Sequence, residues 1–208
     1  MQSKILVTYA SRSGSTAEIA DVIGKTLIEG GVQVDILPMQ NVKDLSAYGA
    51  VVAGSAIRGS KWLPEAAQFI QSHRVELAQK PFAMFTVCIT MAMKNAENYR
   101  TGVLGWVAPV RAMVKPLSEG LFAGMLDFSK LPFNWDTLML SLSVALGIFP
   151  RGDHRDWKAI RAGKAPANIH DEVDGLPSFL RAFAGIPKDD IEAGANSGLQ
   201  AALSSLVD

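Results

Sequence analysis

The chain has 208 residues, of which 49% are hydrophobic and 19% charged, and its 20 basic side chains balance 20 acidic ones. This length suits one domain, or one domain with an appendage, and it can bury a sizeable core. A formal net charge of zero, without a Lys/Arg-rich run, disfavours a dedicated nucleic-acid binder. The single cysteine, Cys88, excludes an internal disulfide framework and a zinc or iron–sulfur site built from several thiolates of one chain. Because residues 1–4 lack the layout of a signal peptide, we expect a cytoplasmic protein.

The first part of the chain alternates strand and helix patterns. Residues 4–9 form a β-rich run, and a cluster of small polar residues follows at 11–16. Apolar residues recur at helical spacing over 17–27, and two glycines at 30–31 predict the end of that helix. Apolar and polar residues alternate over 32–36, which predicts a second strand.

The middle of the chain continues this alternation. An uninterrupted apolar run at 50–53 predicts a third strand that is covered on both faces. Pro64 predicts the first turn of a second helix. The apolar face expected for that helix consists of Ala67, Phe69, Ile70 and Val75. Residues 82–87 are the candidate for a fourth strand.

The remaining elements are less regular. A third helix is expected over 96–114, where Gly102, Gly105 and Pro109 interrupt the pattern. Residues 121–125 are the candidate for a fifth strand. Asp153 is expected to cap a last helix whose inward-facing residues are Trp157 and Ile160.

Strands and helices that alternate at this spacing imply βαβ crossovers and a parallel sheet. Five strands with about five helices therefore predict a three-layer, doubly wound α/β fold. Two segments depart from the alternation: an apolar insert at about 126–150 and the proline-interrupted residues 164–208. We therefore expect a body over 1–163 that carries the insert, followed by a C-terminal extension over 164–208 of unknown role.

The insert is apolar but too short to cross a membrane as a helix. Residues 131–149 contain no lysine or arginine, and their one acidic residue is Asp136. The uninterrupted apolar part covers only 137–149, whereas a spanning helix needs about 20 apolar residues. The first interpretation is a buried helix, and the alternative is a helix that lies at a membrane interface or binds a partner.

The loop after the first strand is rich in hydroxyl groups. In an open parallel sheet, ligands bind outside the carboxyl ends of the strands, where the strand order reverses. This loop offers hydroxyls, a glycine that allows close backbone approach, and the unpaired N–H groups of the next helix, all of which suit a phosphate. The candidate residues are Ser11, Arg12, Ser13, Gly14, Ser15 and Thr16. Walker A and dinucleotide fingerprints are absent. A phosphate site of another kind and an ordinary serine-rich helix cap both remain open.

Two further loops should reach the same edge of the sheet. Residues 54–62 combine small residues with Ile57, Arg58 and Trp62, which suits a flat heterocycle with Ile57 or Trp62 against its face. The alternative is a surface turn in which Trp62 caps the core. Residues 87–92 carry little charge and form either the opposite wall or an ordinary strand end. Together the three loops indicate a binding site better than any one of them does.

Four segments, in this order, resemble a known family. Residues 5–16 (ILVTYASRSGST) resemble the start of flavodoxin-like FMN proteins. Residues 54–58 (GSAIR), 87–92 (VCITMA) and 152–157 (GDHRDW) are similar to the menaquinone-dependent protoporphyrinogen oxidase branch. That branch also carries an insert before its last helix, where this chain has residues 127–147. The resemblance implies a flavodoxin-like, five-stranded parallel sheet with the strand order 2-1-3-4-5.

The resemblance also implies a non-covalently bound FMN with its phosphate in the serine-rich loop, residues 11–16. The flavin ring would lie between two segments, which consist of Ser55, Ala56, Ile57 and Arg58, and of Val87, Cys88, Ile89, Thr90 and Met91. The flavin performs the redox chemistry in such proteins, and Arg58 would offset negative charge on the reduced ring. We expect neither a separate acid–base pair nor a metal site. His73, His154 and His170 are expected at surface or capping positions.

Two functions follow from this interpretation. The first is an FMN-dependent oxidoreductase that transfers electrons or hydride between flavin and an apolar partner, such as a quinone or a porphyrinogen-like molecule. The alternative is a flavodoxin-type electron carrier between proteins. Such carriers are typically acidic, which steers them to basic partners, so the neutral charge favours the enzyme. The insert leaves open a peripheral contact at the inner membrane face through residues 131–149. The insert and the extension together leave open a homodimer.

Overall fold

The structure, a computed structural model, describes residues 4–130 and 135–162. The predicted extension at 164–208, with His170, lies outside the described residues, as do residues 131–134 of the insert. The described strands are β1 (Lys4–Ala10), β2 (Val34–Pro38), β3 (Tyr48–Arg58), β4 (Lys61–Trp62), β5 (Phe82–Cys88), β6 (Ser118–Ala123), β7 (Met125–Leu126) and β8 (Gly152–Asp153). The described α-helices are α1 (Ser15–Glu29), α2 (Pro64–Ser72), α3 (Arg74–Leu77), α4 (Glu97–Arg111), α5 (Trp135–Ala145) and α6 (Trp157–Ala162).

Five long strands form a parallel sheet in the order β2-β1-β3-β5-β6. When these five strands are numbered alone, the order is 2-1-3-4-5, so the predicted topology is confirmed. The chain moves outward in opposite directions from β1 and β3, and the strand order therefore reverses between them. Ligands bind at such a reversal, outside the carboxyl ends of the strands.

Two apolar layers cover the two faces of this sheet. On one face, Ile19 and Ile23 of α1 and Ile160 of α6 pack against β-strand residues such as Phe85. On the other face, residues of α2 and α4 pack against the alternate positions of the same strands, for example Met84. Because successive side chains of a strand point to opposite faces, both layers draw on uninterrupted apolar runs.

Several predicted elements are confirmed in detail. Pro64 occupies the first turn of α2. The first helix ends at Glu29, and Gly31 then has a φ of +85°, a left-handed conformation that suits glycine. The helix α4 is continuous through Gly102, Gly105 and Pro109. Val75 departs from its predicted inward position, because α2 ends at Ser72 and Val75 is exposed on α3.

The last helix begins later than predicted. Its cap is Asp156, whose carboxylate accepts a hydrogen bond of 2.9 Å from the N–H of Ala159. Asp153, the predicted cap, lies in β8 and pairs with Arg155 instead. Trp157 and Ile160 pack inward as predicted.

A short antiparallel hairpin closes the base of the insert. In this hairpin β7 pairs with β8, so that Met125 lies opposite Asp153 and Leu126 opposite Gly152. The helix α5 lies between these two strands in the chain. Its residues Leu138 and Leu142 are 46% and 51% exposed, so the expectation of a buried helix is wrong for the described part of α5. Within the described residues, no helix is long and apolar enough to cross a membrane.

Candidate functional site

The three predicted segments meet at the carboxyl edge of the sheet. The strand register pairs Ala10 with Ser55 and Ala56 with Val87, so the ends of β1, β3 and β5 are direct neighbours. Distances from Gly124 also show that the segments lie close together. A Cβ atom at Gly124 would lie 3.3 Å from Val87 Cγ1 and 4.0 Å from Ser15 Oγ. The serine-rich loop and the 87–91 segment therefore approach each other at this point.

The serine-rich loop is a tight turn closed by its own first hydroxyl. The N–H of Gly14 donates a hydrogen bond of 3.1 Å to Ser11 Oγ. Gly14 has a φ of +90°, a conformation that a residue with a side chain rarely adopts. This turn lets the backbone enter α1 directly after the loop, without a bulky group above the helix end.

The N-terminus of α1 presents several unpartnered donors. No side chain caps it, and its first intrahelical bond runs from the N–H of Glu18 to the carbonyl of Gly14. The N–H groups of the first turn therefore have no acceptor within the helix. The hydroxyl of Thr16 is fully buried and has no hydrogen-bond partner. A buried polar atom without a partner is costly, and a phosphate oxygen is the kind of acceptor that would satisfy it.

Arg12 faces away from these donors. Its guanidinium donates a hydrogen bond of 3.0 Å to the carboxylate of Glu65 on α2, and both side chains are partly exposed. An exposed pair of this kind contributes little to stability. Arg12 therefore ties the loop to α2, which leaves the hydroxyls and N–H groups of the other loop residues as the candidate phosphate ligands.

The second predicted segment is a strand and a hairpin rather than a loop. The strand β3 continues to Arg58 and pairs with β4 across a two-residue turn. Both turn residues, Gly59 and Ser60, have positive φ angles of 55° and 58°, which is the type I′ geometry. Small residues at 54–56 suggested a loop, but pairing with β1 and β5 on both sides holds them extended.

Hydrogen bonds within the protein occupy the side chains of two residues predicted to contact a ligand in this segment. Ser55 is fully buried; its hydroxyl accepts a hydrogen bond of 3.1 Å from the N–H of Leu63 and donates one of 2.9 Å to the carbonyl of Ala56. Trp62 is 3% exposed, and its indole N–H donates to Thr86 Oγ1 at 2.9 Å. The core-capping alternative for Trp62 is therefore confirmed. Ala56 and Ile57 are half-buried, and Ile57 is the larger apolar side chain of the two.

Most side chains of the third segment are buried, which leaves mainly its backbone groups for contact with a ligand. Val87 and Cys88 end β5, and Thr90 and Met91 are buried in the 3₁₀ turn Ile89–Ala92. Burial raises the pKa of the Cys88 thiol, against the opposing effect of hydrogen bonds from Thr90 and Met91. Cys88 is therefore a neutral, unreactive core thiol at neutral pH, and Ile89 is the half-buried residue of the segment.

A cavity of about 250 Å³ adjoins this third segment. Its apolar lining consists of Met91, Ala92, Phe122, Ala123 and Ala159, and its polar lining of His154 and Asp156. The cavity lies between the 3₁₀ turn and the segment that follows β8, at the base of the insert. His154, predicted as a surface or capping residue, therefore borders a mostly apolar space. His73 lies at the junction of α2 and α3, as predicted for a capping residue.

Sequence reasoning missed one contact beside the serine-rich loop. The guanidinium of Arg155 donates a hydrogen bond of 2.7 Å to Glu18 Oε2 in the first turn of α1. The two residues are 137 positions apart, so no spacing rule could connect them. The available signal was the segment 152–157, which the sequence singled out only through its resemblance.

These features define the class of the protein. The family model described as flavodoxin domain matches residues 6–146, which is more than half of the chain. The chain belongs to the flavodoxin-domain family, and membership confirms both the predicted fold and the predicted cofactor, FMN. The open donors of α1 and the buried hydroxyl of Thr16 fit the phosphate of this cofactor.

Within the family, the chain is similar to proteins named protoporphyrinogen IX dehydrogenase (quinone). Protoporphyrinogen IX dehydrogenase (quinone) of Escherichia coli strain K12 is 24% identical over 142 residues, which cover 67% of this chain and 77% of the relative. The protein of the same name from Leishmania major is 27% identical over 133 residues, which cover 62% of this chain and 58% of the relative. Among solved structures, oxidised flavodoxin 2 from Bacillus cereus aligns with a TM-score of 0.44 and 23% identity, covering 70% of this chain and 97% of its own.

Proposed function

We propose that this chain is an FMN-dependent oxidoreductase that transfers electrons or hydride between its flavin and an apolar partner of the quinone or porphyrinogen type. The observation that carries the proposal is the largely apolar cavity beside Met91, between the predicted flavin segment and the base of the insert. Part of the cavity wall, formed by His154, Asp156 and Ala159, lies outside the residues predicted to hold FMN. The names of the relatives from Escherichia coli and Leishmania major support the same substrate class.

The FMN phosphate is proposed to bind the serine-rich loop and the first turn of α1, through the N–H groups of 15 and 16 and the hydroxyls of Ser11, Ser13 and Thr16, with Gly14 forming the turn between them. The ring is proposed to lie between the 55–58 and 87–91 segments. Because Ser55 and Cys88 are engaged within the protein, backbone groups and the half-buried Ile57 and Ile89 would make most of these contacts. When bound, FMN supplies the redox chemistry, and the chain orients it and controls access.

The partner is proposed to approach from the side of the insert. Leu138, Met139, Leu142, Leu146 and Ile148 are large apolar side chains that are exposed on α5 and just after it. Contiguous exposed apolar residues of this kind mark a contact surface. Residues 131–149 lack lysine and arginine, so they offer no basic group that would attract anionic lipid. Contact of this segment with a membrane would therefore depend on its apolar side chains.

The remaining proposals concern organisation. We propose that residues 1–163 form the FMN-binding domain and that 164–208 form an extension to it, in a cytoplasmic protein with peripheral membrane contact through 131–149. Limited proteolysis of the full chain, read by mass spectrometry, tests the boundary near 163. Vesicle flotation tests the membrane contact, and light scattering tests a homodimer.

The placement of the phosphate is tested with Ser13→Asp. This change sets a carboxylate against the phosphate, so FMN binding should weaken by about tenfold or more. The readout is quenching of flavin fluorescence on titration into the apoprotein. Ser72→Asp, at an exposed serine that ends α2, is the matched control and should leave the affinity unchanged. Equal affinities for both variants and the wild type would show that the phosphate binds elsewhere.

The enzyme is distinguished from the carrier by reoxidation of the reduced flavin with a quinone or with a protein acceptor. We expect fast reoxidation by the quinone, and fast transfer to the protein alone would favour the carrier. Leu142→Glu should reduce quinone turnover while FMN is retained, because it places a charge on the exposed face of α5. Ile28→Glu, at an isoleucine that is 50% exposed on α1, is the control for adding a surface charge.

A further inference from the structure

One arginine near the end of the described chain is buried among charged groups at the carboxyl edge of the sheet. The side chain of Arg155 is 4% exposed. Its Nε and Nη2 atoms donate to the two carboxylate oxygens of Asp153 at 2.8 and 2.7 Å, and Nη1 donates to Glu18 at 2.7 Å. Its guanidinium also lies 4.2 Å from the centre of the Trp157 ring. All three nitrogens are therefore engaged, in a fixed orientation.

The carboxylate that Arg155 contacts lies beside the serine-rich loop. A Cβ atom at Gly14 would lie 3.9 Å from Glu18 Oε1, and Gly14 is the residue from which α1 begins. The unpartnered, buried hydroxyl of Thr16 belongs to the same helical turn. An acidic residue in the first turn stabilises a helix on its own, but it repels a phosphate that binds to the same N–H groups.

Arg155 reaches this turn from the base of the insert. It follows β8, and its Nη2 atom also lies 3.7 Å from the sulfur of Met125 in β7. The β7–β8 hairpin joins the two ends of the insert. The guanidinium therefore connects the hairpin that closes the insert with the first turn of the helix at the phosphate loop.

We propose that Arg155 is a positioning residue for FMN: it offsets part of the charge of Glu18 and fixes the orientation of its carboxylate, so that the first turn of α1 can accept the phosphate. This inference rests on the proposed placement of the phosphate. In this arrangement Glu18 stabilises the helix end in the apoprotein, and Arg155 reduces its repulsion toward the cofactor. The base of the insert thereby contributes to cofactor affinity without touching the cofactor.

The test compares FMN with riboflavin, which has the same ring and no phosphate. Arg155→Met should weaken FMN binding by about tenfold, because the carboxylates of Glu18 and Asp153 lose the cation that they share beside the phosphate loop. Riboflavin affinity should change less than twofold. Glu18→Gln should restore FMN affinity in the Arg155→Met background, and alone it should tighten FMN severalfold because Arg155 keeps its charge. Arg155→Lys should retain most of the affinity.

A matched pair of residues controls for loss of an ion pair in general. Arg111 donates through two nitrogens to both carboxylate oxygens of Glu119, which lies at the amino end of β6, away from the proposed site. Arg111→Met should leave FMN affinity within twofold of the wild type. Thermal unfolding of each variant separates folding defects from binding defects.

Three results would overturn the inference. The first is equal weakening of FMN and riboflavin by Arg155→Met, which would indicate a structural role alone. The second is failure of Glu18→Gln to restore FMN binding. The third is an unchanged FMN affinity in the Glu18→Gln single variant, which remains informative if Arg155→Met does not fold. If Ser13→Asp weakens FMN but these variants show no coupling, the phosphate site stands and only this inference fails.

Discussion

Gly54 is the position where the smallest substitution should have the largest effect. It lies in β3, directly opposite Phe85 of β5, and the Phe85 ring covers the glycine. A Cβ atom at Gly54 would lie 1.9, 2.2 and 2.3 Å from three atoms of that ring. Such distances are far inside van der Waals contact. In the Gly54→Ala variant, the whole Phe85 ring must therefore move.

The cost is set by the surroundings of Phe85. Phe85 is fully buried, and its layer also contains the inward face of α1. Overpacking a core by a methyl group costs about 1–3 kcal/mol, and expelling a buried phenylalanine costs about 3–5 kcal/mol. We therefore expect Gly54→Ala to lose about 3 kcal/mol of unfolding free energy. For a chain of this size, that loss lowers Tm by about 6–12 °C.

The assay is urea unfolding followed by circular dichroism, with Gly102→Ala as the control. Gly102 lies on the exposed side of α4, and a Cβ atom there meets nothing within 4 Å. The control should therefore gain about 0.5–1 kcal/mol, since alanine favours a helix over glycine. A loss below about 1 kcal/mol for Gly54→Ala would refute the steric reasoning. The same loss in a Phe85→Leu background would refute it as well.

Three further predictions rest on single contacts. Ser60→Asn should raise the free energy of unfolding by about 0.5–1 kcal/mol, because asparagine tolerates the positive φ of this turn better than serine. The measurement is urea unfolding, and an unchanged or lower midpoint would contradict the expectation. Hydrogen bonds from Arg155 hold the pKa of Asp153 below its usual value, so its stabilisation is present above about pH 4 and is lost as the pH falls through the folded-state pKa. Asp153→Asn should therefore be less stable than the wild type at pH 7, and the difference should narrow below about pH 4, as measured by urea unfolding at both pH values. Burial raises the pKa of Cys88, so iodoacetamide at pH 8 should modify it only after denaturation, and rapid modification of the native protein would show that the thiol is accessible.

The sheet could be predicted because its strands have clear sequence patterns. Apolar runs at 50–53 and 82–87 are covered on both faces, and glycines at 30–31 and a proline at 64 mark helix ends by well-understood conformational limits. The serine-rich loop follows from the same logic, since its position after β1 places it at the reversal of strand order.

The errors lie where tertiary contacts override local pattern. Asp153 looked like a helix cap because aspartate commonly caps helices, but Arg155 occupies its carboxylate and Asp156 caps α6 instead. The 54–58 segment looked like a loop because it is small and weakly β-forming, but neighbours on both sides keep it in the sheet. For the 54–58 segment the deciding partners lie far away in the chain. Arg155 lies only two residues from Asp153, but its own position is fixed by the distant Glu18.

The net charge of zero bears on how the chain would select its partner. A neutral protein gains little from long-range steering, so its choice of partner must depend on short-range contacts. The apolar contacts available at the carboxyl edge are those of the cavity beside Met91 and of the exposed face of α5. Several charged groups there pair with one another: Arg155 with Asp153 and Glu18, and Arg12 with Glu65. In the proposed function, these ion pairs hold the phosphate loop and the base of the insert in place, and the apolar surface would select the molecule that exchanges electrons with the flavin.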